Sequence, residues 1–502
     1  MKKKKVVALA LVLLMIVLLA GCFGQTFVQK YKTNITEYKI DFVLADDHTI
    51  AGNQTVNYKN STSNILNEVY FHLYPNSFSA TAENKPVSTL YESKAYPNGK
   101  SYGSISMEDV NIQNNDCSFS LEGTDDDILK VMLNAPLYPN DFVSIQMKYK
   151  IKIPNVLHRF GYNEKTINLG NIYPIACVFD ENGWDKNPYN ANGDPFYSNL
   201  ANYSINITYP KDYVLASSGE QTAQAKNENN LTSKIYAPAV RDFAMVLSKN
   251  FETKIATCGD TKIQYYFYDD ENADASLETA KKALLTFEDT FGKYPYSTLA
   301  IVKTGFLYGG MEYPNLVMIS DNLEKYEDFT NTIVHEVAHQ WWYGLVGNNQ
   351  FDHGWMDESL AEYSTVIFYE KNPEYNIKRD VCIKNAITSY TMFVDVFEDV
   401  FKKVDTSMDR PLDKFATEPE YVYAAYVRGM IMFDDIRNLI GDRTFFRCLK
   451  NYCSKYKGQN ALPENMISVF ENTSGKKLKP LFLSYIDGTA IIGEIKSQKT
   501  EK

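Results

Sequence analysis

The sequence has 502 residues, which at about 100–200 residues per domain is enough for two to four domains. Hydrophobic residues make up 44% of it and charged residues 23%, so the composition excludes a disordered or fibrous chain. The net charge of -11 gives an acidic surface that would repel a phosphate backbone, and we therefore expect no nucleic-acid partner.

The N-terminus has the pattern of an export signal. Four lysines at residues 2–5 precede an apolar run over residues 6–20, which is shorter than the roughly 20 residues of a membrane-spanning helix. The string Leu19-Ala20-Gly21-Cys22 resembles a bacterial lipobox, in which the cysteine becomes the lipidated N-terminus. The alternative is an uncleaved signal anchor with an incidental cysteine. We predict a lipoprotein signal peptide over residues 1–21, and a lipid anchor at Cys22 that holds the protein at the extracytoplasmic face of a bacterial cell membrane.

A region of alternating residues follows the export signal. A short tether over residues 22–35 leads into residues 36–252, where apolar and polar residues alternate in short segments that Asn, Gly, Asp and Pro interrupt. A period of two residues is typical of strands with one buried face. We therefore predict an all-β domain over residues 36–252, with a long loop in the Ser/Asn/Lys-rich stretch 79–103.

The spacing of apolar residues becomes helical near residue 272. It predicts a helix over residues 273–291 that Gly292 closes, a strand over 299–302, and almost only helices from residue 328 onward. The further predicted helices cover about residues 358–369, 375–398, 420–440, 443–456 and 463–486. The fold class is therefore multidomain, with a mostly helical α+β domain over residues 253–490 behind the β domain and a charged tail over 491–502.

The helical region carries a metal-binding motif, His335-Glu336-Val337-Ala338-His339. Residues i and i+4 of a helix differ by ~40° in azimuth and ~6 Å along the axis, so His335 and His339 can share one tetrahedral ion. Glu336 is rotated by ~100° from His335, and there it can accept a proton from an activated water as a general base.

Glu358 supplies a third ligand. It follows His339 after 18 intervening residues and opens the next predicted helix, so a helix, a turn and an antiparallel helix would return it to the two histidines. Two histidines, one glutamate and a water form an open catalytic zinc site rather than a closed structural one. The alternative is two polar residues on a solvated helix face, but the flanking residues are apolar and the chain has only 6 histidines. We expect one Zn²⁺ per chain.

The motif with its distant glutamate resembles the M1 family of metallopeptidases, the gluzincins of the aminopeptidase N group. The segment Gly309-Gly310-Met311-Glu312 resembles that family's exopeptidase motif, with Tyr313 in place of an asparagine. The resemblance implies that this segment is an edge strand of the cleft and that Glu312 binds the α-amine of the substrate. A turn at the two glycines and a surface charge at Glu312 are the alternatives.

A third segment, Ala425-Tyr426-Val427-Arg428-Gly429, resembles the start of a family helix whose tyrosine donates to the oxyanion. Tyr421 and Tyr423 are possible substitutes, but only Tyr426 has a glycine three residues further on. The resemblance covers about residues 35–490 and implies a saddle-like β domain before a thermolysin-like catalytic domain. It does not extend to the large helical C-terminal domain of longer members, so we expect a more open cleft.

The predicted function is that of a zinc-dependent aminopeptidase with peptide substrates, in which Glu336 is the general base and Tyr426 stabilises the oxyanion. An endopeptidase of the same chemistry with an open cleft is one alternative. A binding protein on a decayed peptidase fold is another, although no ligand or base of the motif is lost. Glu362 follows Glu358 by one turn and is either a hydrogen-bond partner of a zinc-binding histidine or an exposed carboxylate.

Overall fold

The computed structural model describes residues 26–402 and 404–492. The predicted signal peptide, the anchor at Cys22, the first residues of the tether and the charged tail from residue 493 lie outside the described residues. Within the described ranges, no helix combines the length and the apolar character that crossing a membrane requires.

Residues 36–248 form strands because apolar side chains alternate along them and pack into one core. In the strand Phe142–Lys152, for example, every second side chain is buried. The strands of this region are Thr36–Leu44 (β1), Thr49–Lys59 (β2), Leu66–His72 (β3), Ser104–Ile112 (β4), Asn115–Asp116 (β5), Phe119–Glu122 (β6), Ile128–Leu137 (β7), Phe142–Lys152 (β8), Phe160–Tyr162 (β9), Ile167–Gly170 (β10), Ile175–Ala176 (β11), Phe179–Asp180 (β12), Gly183–Trp184 (β13), Ala201–Pro210 (β14), Val214–Ser217 (β15), Glu220–Lys226 (β16), Asn230–Val240 (β17) and Ala244–Ser248 (β18).

Three sheets hold most of these strands. An eight-stranded sheet has the order β16-β17-β14-β1-β2-β8-β4-β5, and its only parallel pair is β1 with β14 among the pairs described. Two four-stranded sheets have the orders β15-β18-β10-β9 and β11-β3-β7-β6, and β12 pairs with β13. The predicted loop over residues 79–103 contains no strand and one short helix.

A mixed five-stranded sheet begins the second region. Its strands are Glu252–Cys258 (β19), Thr261–Phe267 (β20), Thr298–Thr304 (β21), Gly310–Met311 (β22) and Leu316–Ser320 (β23). The order is β19-β20-β21-β23-β22, so the short strand β22 lies at an edge, antiparallel to β23. The predicted bounds of the two domains, 36–252 and 253–490, stay a prediction.

Helices predominate in the chain after β23. The helices of the whole described chain are Phe27–Lys30 (α1), Glu92–Ala95 (α2), Ala273–Phe291 (α3), Tyr326–Ala338 (α4), Gln350–His353 (α5), Trp355–Lys371 (α6), Arg379–Phe401 (α7), Glu418–Tyr421 (α8), Arg428–Ile440 (α9), Asp442–Tyr456 (α10), Pro463–Ser474 (α11) and Lys479–Ile486 (α12). Short 3-10 turns cover Tyr74–Phe78, Pro373–Tyr375 and Leu412–Lys414. A β domain followed by a mostly helical α+β domain confirms the predicted fold class.

The predicted helix over residues 420–440 is confirmed in its extent, whereas the helical stretch predicted over 463–486 is broken once. The helix expected over residues 420–440 consists of α8, a π-helical turn over Val422–Val427 and α9. The helix expected over 463–486 is interrupted at Gly475, which adopts φ 70° in the left-handed region and ends α11 before α12 begins.

Candidate active site

The two histidines of the motif lie at the C-terminal end of α4. His335 belongs to its last turn and His339 is its C-cap residue. The opposite side of the helix is anchored by Ile333, Val334 and Val337, all fully buried. This anchoring turns both imidazoles inward, and their Nε2 atoms lie 3.1 Å apart. The structure therefore brings His335 and His339 together as predicted from their spacing.

Glu358 reaches the histidines from the first turn of α6, which packs against α4. Its Oε2 atom lies 3.3 Å from Nε2 of His335 and 3.3 Å from Nε2 of His339. All three side chains are buried, and within the described ranges no hydrogen-bond donor satisfies Oε2 of Glu358. The three predicted metal ligands therefore converge on one point.

The hydrogen bonds of the outer ring nitrogens show which species fits between these three atoms. Nδ1 of His339 lies 2.8 Å from the carbonyl oxygen of Trp342, which can only accept, so that nitrogen carries the proton. Nδ1 of His335 lies 3.0 Å from Oε2 of Glu362 and donates to it in the same way. In the neutral rings both Nε2 lone pairs then face each other and a carboxylate, an arrangement that a cation stabilises.

The distances among the three ligand atoms fit zinc. Tetrahedral bonds of about 2.0–2.2 Å to nitrogen and oxygen correspond to ligand separations of roughly 3.3–3.5 Å. The observed separations of 3.1 and 3.3 Å are close to this value. Glu362 thus takes the first of its two predicted roles, because it orients His335 rather than pointing into solvent.

Glu336, the predicted general base, lies beside the ligands and in contact with the edge strand β22. Its Oε2 atom is buried and has no hydrogen-bond partner among the residues that the structure describes. Burial raises its pKa to about 8, although the neighbouring histidines act to lower it. A cation at the three ligands would lower it further. A Cβ atom at Gly310 would be 2.3 Å from Oε1 of Glu336, so the base occupies space that only a glycine leaves free.

Glu312 lies at the end of β22, and its side chain is buried. Its carboxylate oxygen, the Asp357 carboxylate and a ring nitrogen of His339 lie within 4.8 Å of one another. Gly309, Gly310 and Glu312 line the same cleft as the metal ligands, whereas the side chain of Met311 is buried in the core.

Gln350 is a residue of the site that sequence reasoning missed. It begins α5, and its Nε2 donates to Oε1 of Glu312 over 2.7 Å and to Oδ2 of Asp357 over 2.7 Å. Asn348 donates to the other oxygen of Asp357 over 3.0 Å. Glu312 is therefore tied to the residue that precedes the ligand Glu358. No local pattern marks Gln350, because its role depends on contacts between distant segments.

Tyr426 lies in the π-helical turn, half-buried at the metal site. Its ring stacks on that of His335, with centroids 5.7 Å apart and an angle of 7° between the planes. Burial, and next the charge of Glu358, raises its pKa well above the usual value, so its hydroxyl group stays protonated and can donate. Gly429 allows this placement, because a Cβ there would be 1.8 Å from Oγ of Ser359 in α6.

The metal site opens into a cleft of about 260 Å³ between the two regions of the chain. The β region contributes Arg159, Tyr189 and Asp194 to its wall. Arg159 is buried, pairs with Asp194, and stacks over Phe196 with 5.0 Å between guanidinium and ring centroid. His353, in the segment between the two helices that carry the metal ligands, is hydrogen-bonded to Asp409 over 2.6 Å.

Two histidines and one glutamate whose ligand atoms converge form the ligand set of a catalytic zinc site. The sequence profile described as the Peptidase family M1 domain matches residues 275–485. This match over residues 275–485 confirms the resemblance to peptidase family M1 that the motifs indicated.

Two curated relatives are similar over part of their length. Aminopeptidase M1-B of Oryza sativa subsp. japonica is 25% identical over 228 residues, which are 42% of this chain and 25% of that protein. Aminopeptidase 2, mitochondrial, of Saccharomyces cerevisiae is 24% identical over 308 residues, which are 57% of this chain and 30% of that protein. The matched part therefore spans less than a third of either relative.

A solved structure resembles the chain over nearly its whole length. The M1 zinc metallopeptidase from Deinococcus radiodurans superposes with a TM-score of 0.63 and 14% identity, covering 91% of this chain and 94% of that one. A variant of that protein was crystallised with a Tyr-Ser-Ala substrate, and its TM-score is 0.61. This likeness shows the two-domain fold.

Proposed function

We propose that the protein is a zinc-dependent aminopeptidase that hydrolyses the N-terminal peptide bond of peptides. One observation carries the proposal: the buried carboxylate of Glu312, held by Gln350, reaches to within 4.8 Å of a ring nitrogen of His339. An α-amine paired with Glu312 would bring the first peptide bond next to the metal ligands. The relatives from rice and yeast are named aminopeptidases, and the Deinococcus protein has been solved with a tripeptide, which supports the same proposal.

The residues of the chain divide the reaction among them. When bound by His335, His339 and Glu358, zinc supplies Lewis acidity that polarises a carbonyl and lowers the pKa of water. Glu336 takes the proton of the attacking water and passes it to the leaving amine. The Tyr426 hydroxyl group donates to the oxyanion that forms on the former carbonyl oxygen.

Glu312 gives the reaction its direction along the peptide. A protonated amine that enters a buried site loses its hydration and needs a partner of opposite charge. Glu312 supplies that partner on the edge strand β22, and a charge-assisted hydrogen bond of this kind contributes ~1.5–3 kcal/mol. Substrates without a free amine lose this contribution.

The decisive experiment compares free and N-acetylated peptides with the zinc-loaded protein. Wild type should cleave free peptides, and Glu312→Ala should lower their kcat/KM by about one to two orders of magnitude with unchanged zinc content. Glu327→Ala, the same change at an exposed site of α4, is the matched control and should have no effect. Equal cleavage of acetylated and free peptides by wild type, with both slowed alike by Glu312→Ala, would instead indicate an endopeptidase.

We also propose that the enzyme acts at the extracytoplasmic face of a bacterial membrane, held by a lipid on Cys22. The lysines at residues 2–5, the apolar run and the lipobox-like string support this proposal. A labelled fatty acid should enter wild type and the control Cys382→Ser, but not Cys22→Ser. Equal incorporation into all three proteins would contradict the anchor.

A further inference from the structure

One carboxylate of the cleft has no role in the proposed reaction. Among the described residues, six carboxylates line the cleft: Asp194, Glu312, Glu336, Glu358, Glu362 and Glu418. Glu336, Glu358 and Glu362 belong to the metal site, and Glu312 is the proposed partner of the amine. Asp194 pairs with Arg159, which is the only lysine or arginine among the described lining residues. Glu418 remains.

Glu418 lines the cleft, and one oxygen of its carboxylate lacks a partner among the described residues. Its Oε2 atom is inaccessible to water and has no hydrogen-bond partner, and no ion pair forms with it in the part of the chain that the structure describes. Burial, and next the charge of Asp194, raises the pKa of Glu418 to about 7. A carboxylate oxygen that is shielded from water and has no donor is costly, and a cation that enters the cleft removes that cost.

The backbone around Glu418 fixes this position. Glu418 is the first residue of α8, Thr417 caps the helix by accepting from the Glu420 backbone N–H over 3.3 Å, and Pro419 follows within the first turn. The adjacent part of the cleft is closely packed, because a Cβ at Gly193 would be 2.7 Å from the ring of Tyr421. The backbone at Glu418 is therefore fixed beside the cleft.

Glu418 lies on the side of the cleft that leads to the amine site. Burial, and next the charge of Glu418, raises the pKa of Tyr308. Tyr308 directly precedes the segment of residues 309–312, which ends with Glu312. Asp194 is near enough to interact with the charges of both Glu312 and Glu418. With its amine at Glu312, an N-terminal residue would extend its side chain along this wall. The rings of Tyr308 and Tyr189 suit the methylene stem of a long basic side chain.

We infer that Glu418 determines specificity, and that the preferred substrates carry lysine or arginine as their N-terminal residue. This inference rests on the proposed aminopeptidase function, because the amine at Glu312 fixes which side chain meets Glu418. An ammonium or guanidinium group would donate to the unpartnered Oε2 atom, whereas an apolar side chain of the same length would leave it unpaired.

The test compares the p-nitroanilides of L-lysine, L-arginine and L-norleucine, the last being an apolar chain without a charge. Wild type should prefer the two basic substrates by about 10- to 100-fold in kcat/KM. Glu418→Gln keeps the shape and removes the charge, and it should reduce this preference to within about threefold while norleucine turnover stays unchanged. The matched control Asp413→Asn, an exposed acid of the same segment that pairs with Lys414, should retain the preference.

Binding supplies a readout that does not depend on turnover. L-Arginine should bind zinc-loaded wild type more tightly than L-norleucine by calorimetry, and Glu418→Gln should abolish the difference. If wild type cleaves norleucine p-nitroanilide well but shows no preference for basic residues, Glu418 does not select substrates and the aminopeptidase function stands. If no free-amine substrate is cleaved but the Glu418-dependent binding of arginine persists, the aminopeptidase function fails and the basic subsite stands. If Glu418→Gln slows all three substrates alike, the residue is structural and the inference is wrong.

Discussion

The side-chain amide of Gln350 donates to the carboxylate of Glu312 over 2.7 Å and so links the start of α5 to the edge strand β22. The same nitrogen donates to Asp357 over 2.7 Å, next to the metal ligand Glu358. The two carboxylates would repel each other across this short distance without a shared donor. Gln350 therefore sets where the proposed amine partner lies relative to the metal.

Replacing Gln350 by alanine should displace Glu312 without removing the metal. We expect the KM for peptides with a free N-terminus to rise by about tenfold, because loss of a hydrogen bond to a charged group weakens binding by about this factor. The kcat should change less, and zinc content should stay the same. Steady-state kinetics with a free peptide series and metal analysis of the same preparation measure both quantities.

A double-mutant cycle identifies the route of this effect. If Gln350 acts through Glu312, Gln350→Ala should have little further effect in a Glu312→Ala background. Additive losses in the double variant would show that Gln350 supports the site in another way, for example through Asp357.

Glu362 should tune the affinity of the metal site through His335. It accepts a hydrogen bond from Nδ1 of that ring over 3.0 Å. In known metal sites, removal of such a partner lowers the metal affinity by roughly 10- to 100-fold. We expect Glu362→Gln to weaken zinc binding by about this factor in a competition titration with a chelator. Glu327→Gln, at the exposed start of α4, is the control and should leave the zinc affinity unchanged. If Glu362→Gln also leaves the zinc affinity unchanged, α4 alone orients His335.

The local parts of the fold and site could be predicted from the sequence. The helix Ala273–Phe291 follows from its apolar spacing and from Gly292, which adopts φ 119° at its end. The pairing of His335 with His339 needs only the geometry of one helix turn. Glu358 needed a tertiary assumption, an antiparallel return of the chain, and the structure shows that return.

Other features depend on contacts that no local pattern encodes. The apolar spacing over Val422–Val427 is that of an ordinary α-helix. Only the structure shows that these residues form a π-helical turn between α8 and α9. Gln350 meets Glu312 across 38 positions of the chain. The pairing of Arg159 with Asp194 and the unpartnered state of Glu418 become visible only when the β region packs against the helices.

Alanine substitutions at the adjacent residues Gly309 and Gly310 should distinguish a local clash with Glu336 from a general loss of structure. A Cβ at Gly310 would overlap Glu336, at 2.3 Å from Oε1 and 2.6 Å from Cδ, whereas the nearest atom to a Cβ at Gly309 is 3.8 Å away. Gly310→Ala should therefore push the base out of position and lower kcat by about 100-fold, as expected for a misplacement of about 1 Å. Gly309→Ala should remain near wild type.

Both glycine variants should keep zinc, because neither contacts His335, His339 or Glu358. Zinc content and thermal unfolding of the two variants check this expectation. Equal losses of kcat in both variants, or full activity in Gly310→Ala, would contradict this explanation. Contact with Glu336 would then not be the reason for a glycine at position 310.

Two tyrosines compete for the role of oxyanion donor, and the structure separates them. The Tyr426 ring lies parallel to the ring of the metal ligand His335 at 5.7 Å. Tyr421 instead meets Tyr426 edge to face, at 5.8 Å and 87°, and a Cβ added at Gly354 would be 2.4 Å from its hydroxyl oxygen. Both tyrosines line the cleft, but it is Tyr426 whose ring stacks on a metal ligand.

Tyr426→Phe removes one hydroxyl group and keeps the stacked ring, so the fold and the zinc content should persist. Removal of one oxyanion donor costs roughly 100- to 1000-fold in turnover, about 2.7–4 kcal/mol. The loss should fall on kcat rather than KM, because the oxyanion exists only near the transition state. Tyr421→Phe is the matched control and should reduce kcat by less than about tenfold, the net value of one ordinary hydrogen bond. A large loss of kcat in Tyr421→Phe with near-normal turnover in Tyr426→Phe would reverse the assignment.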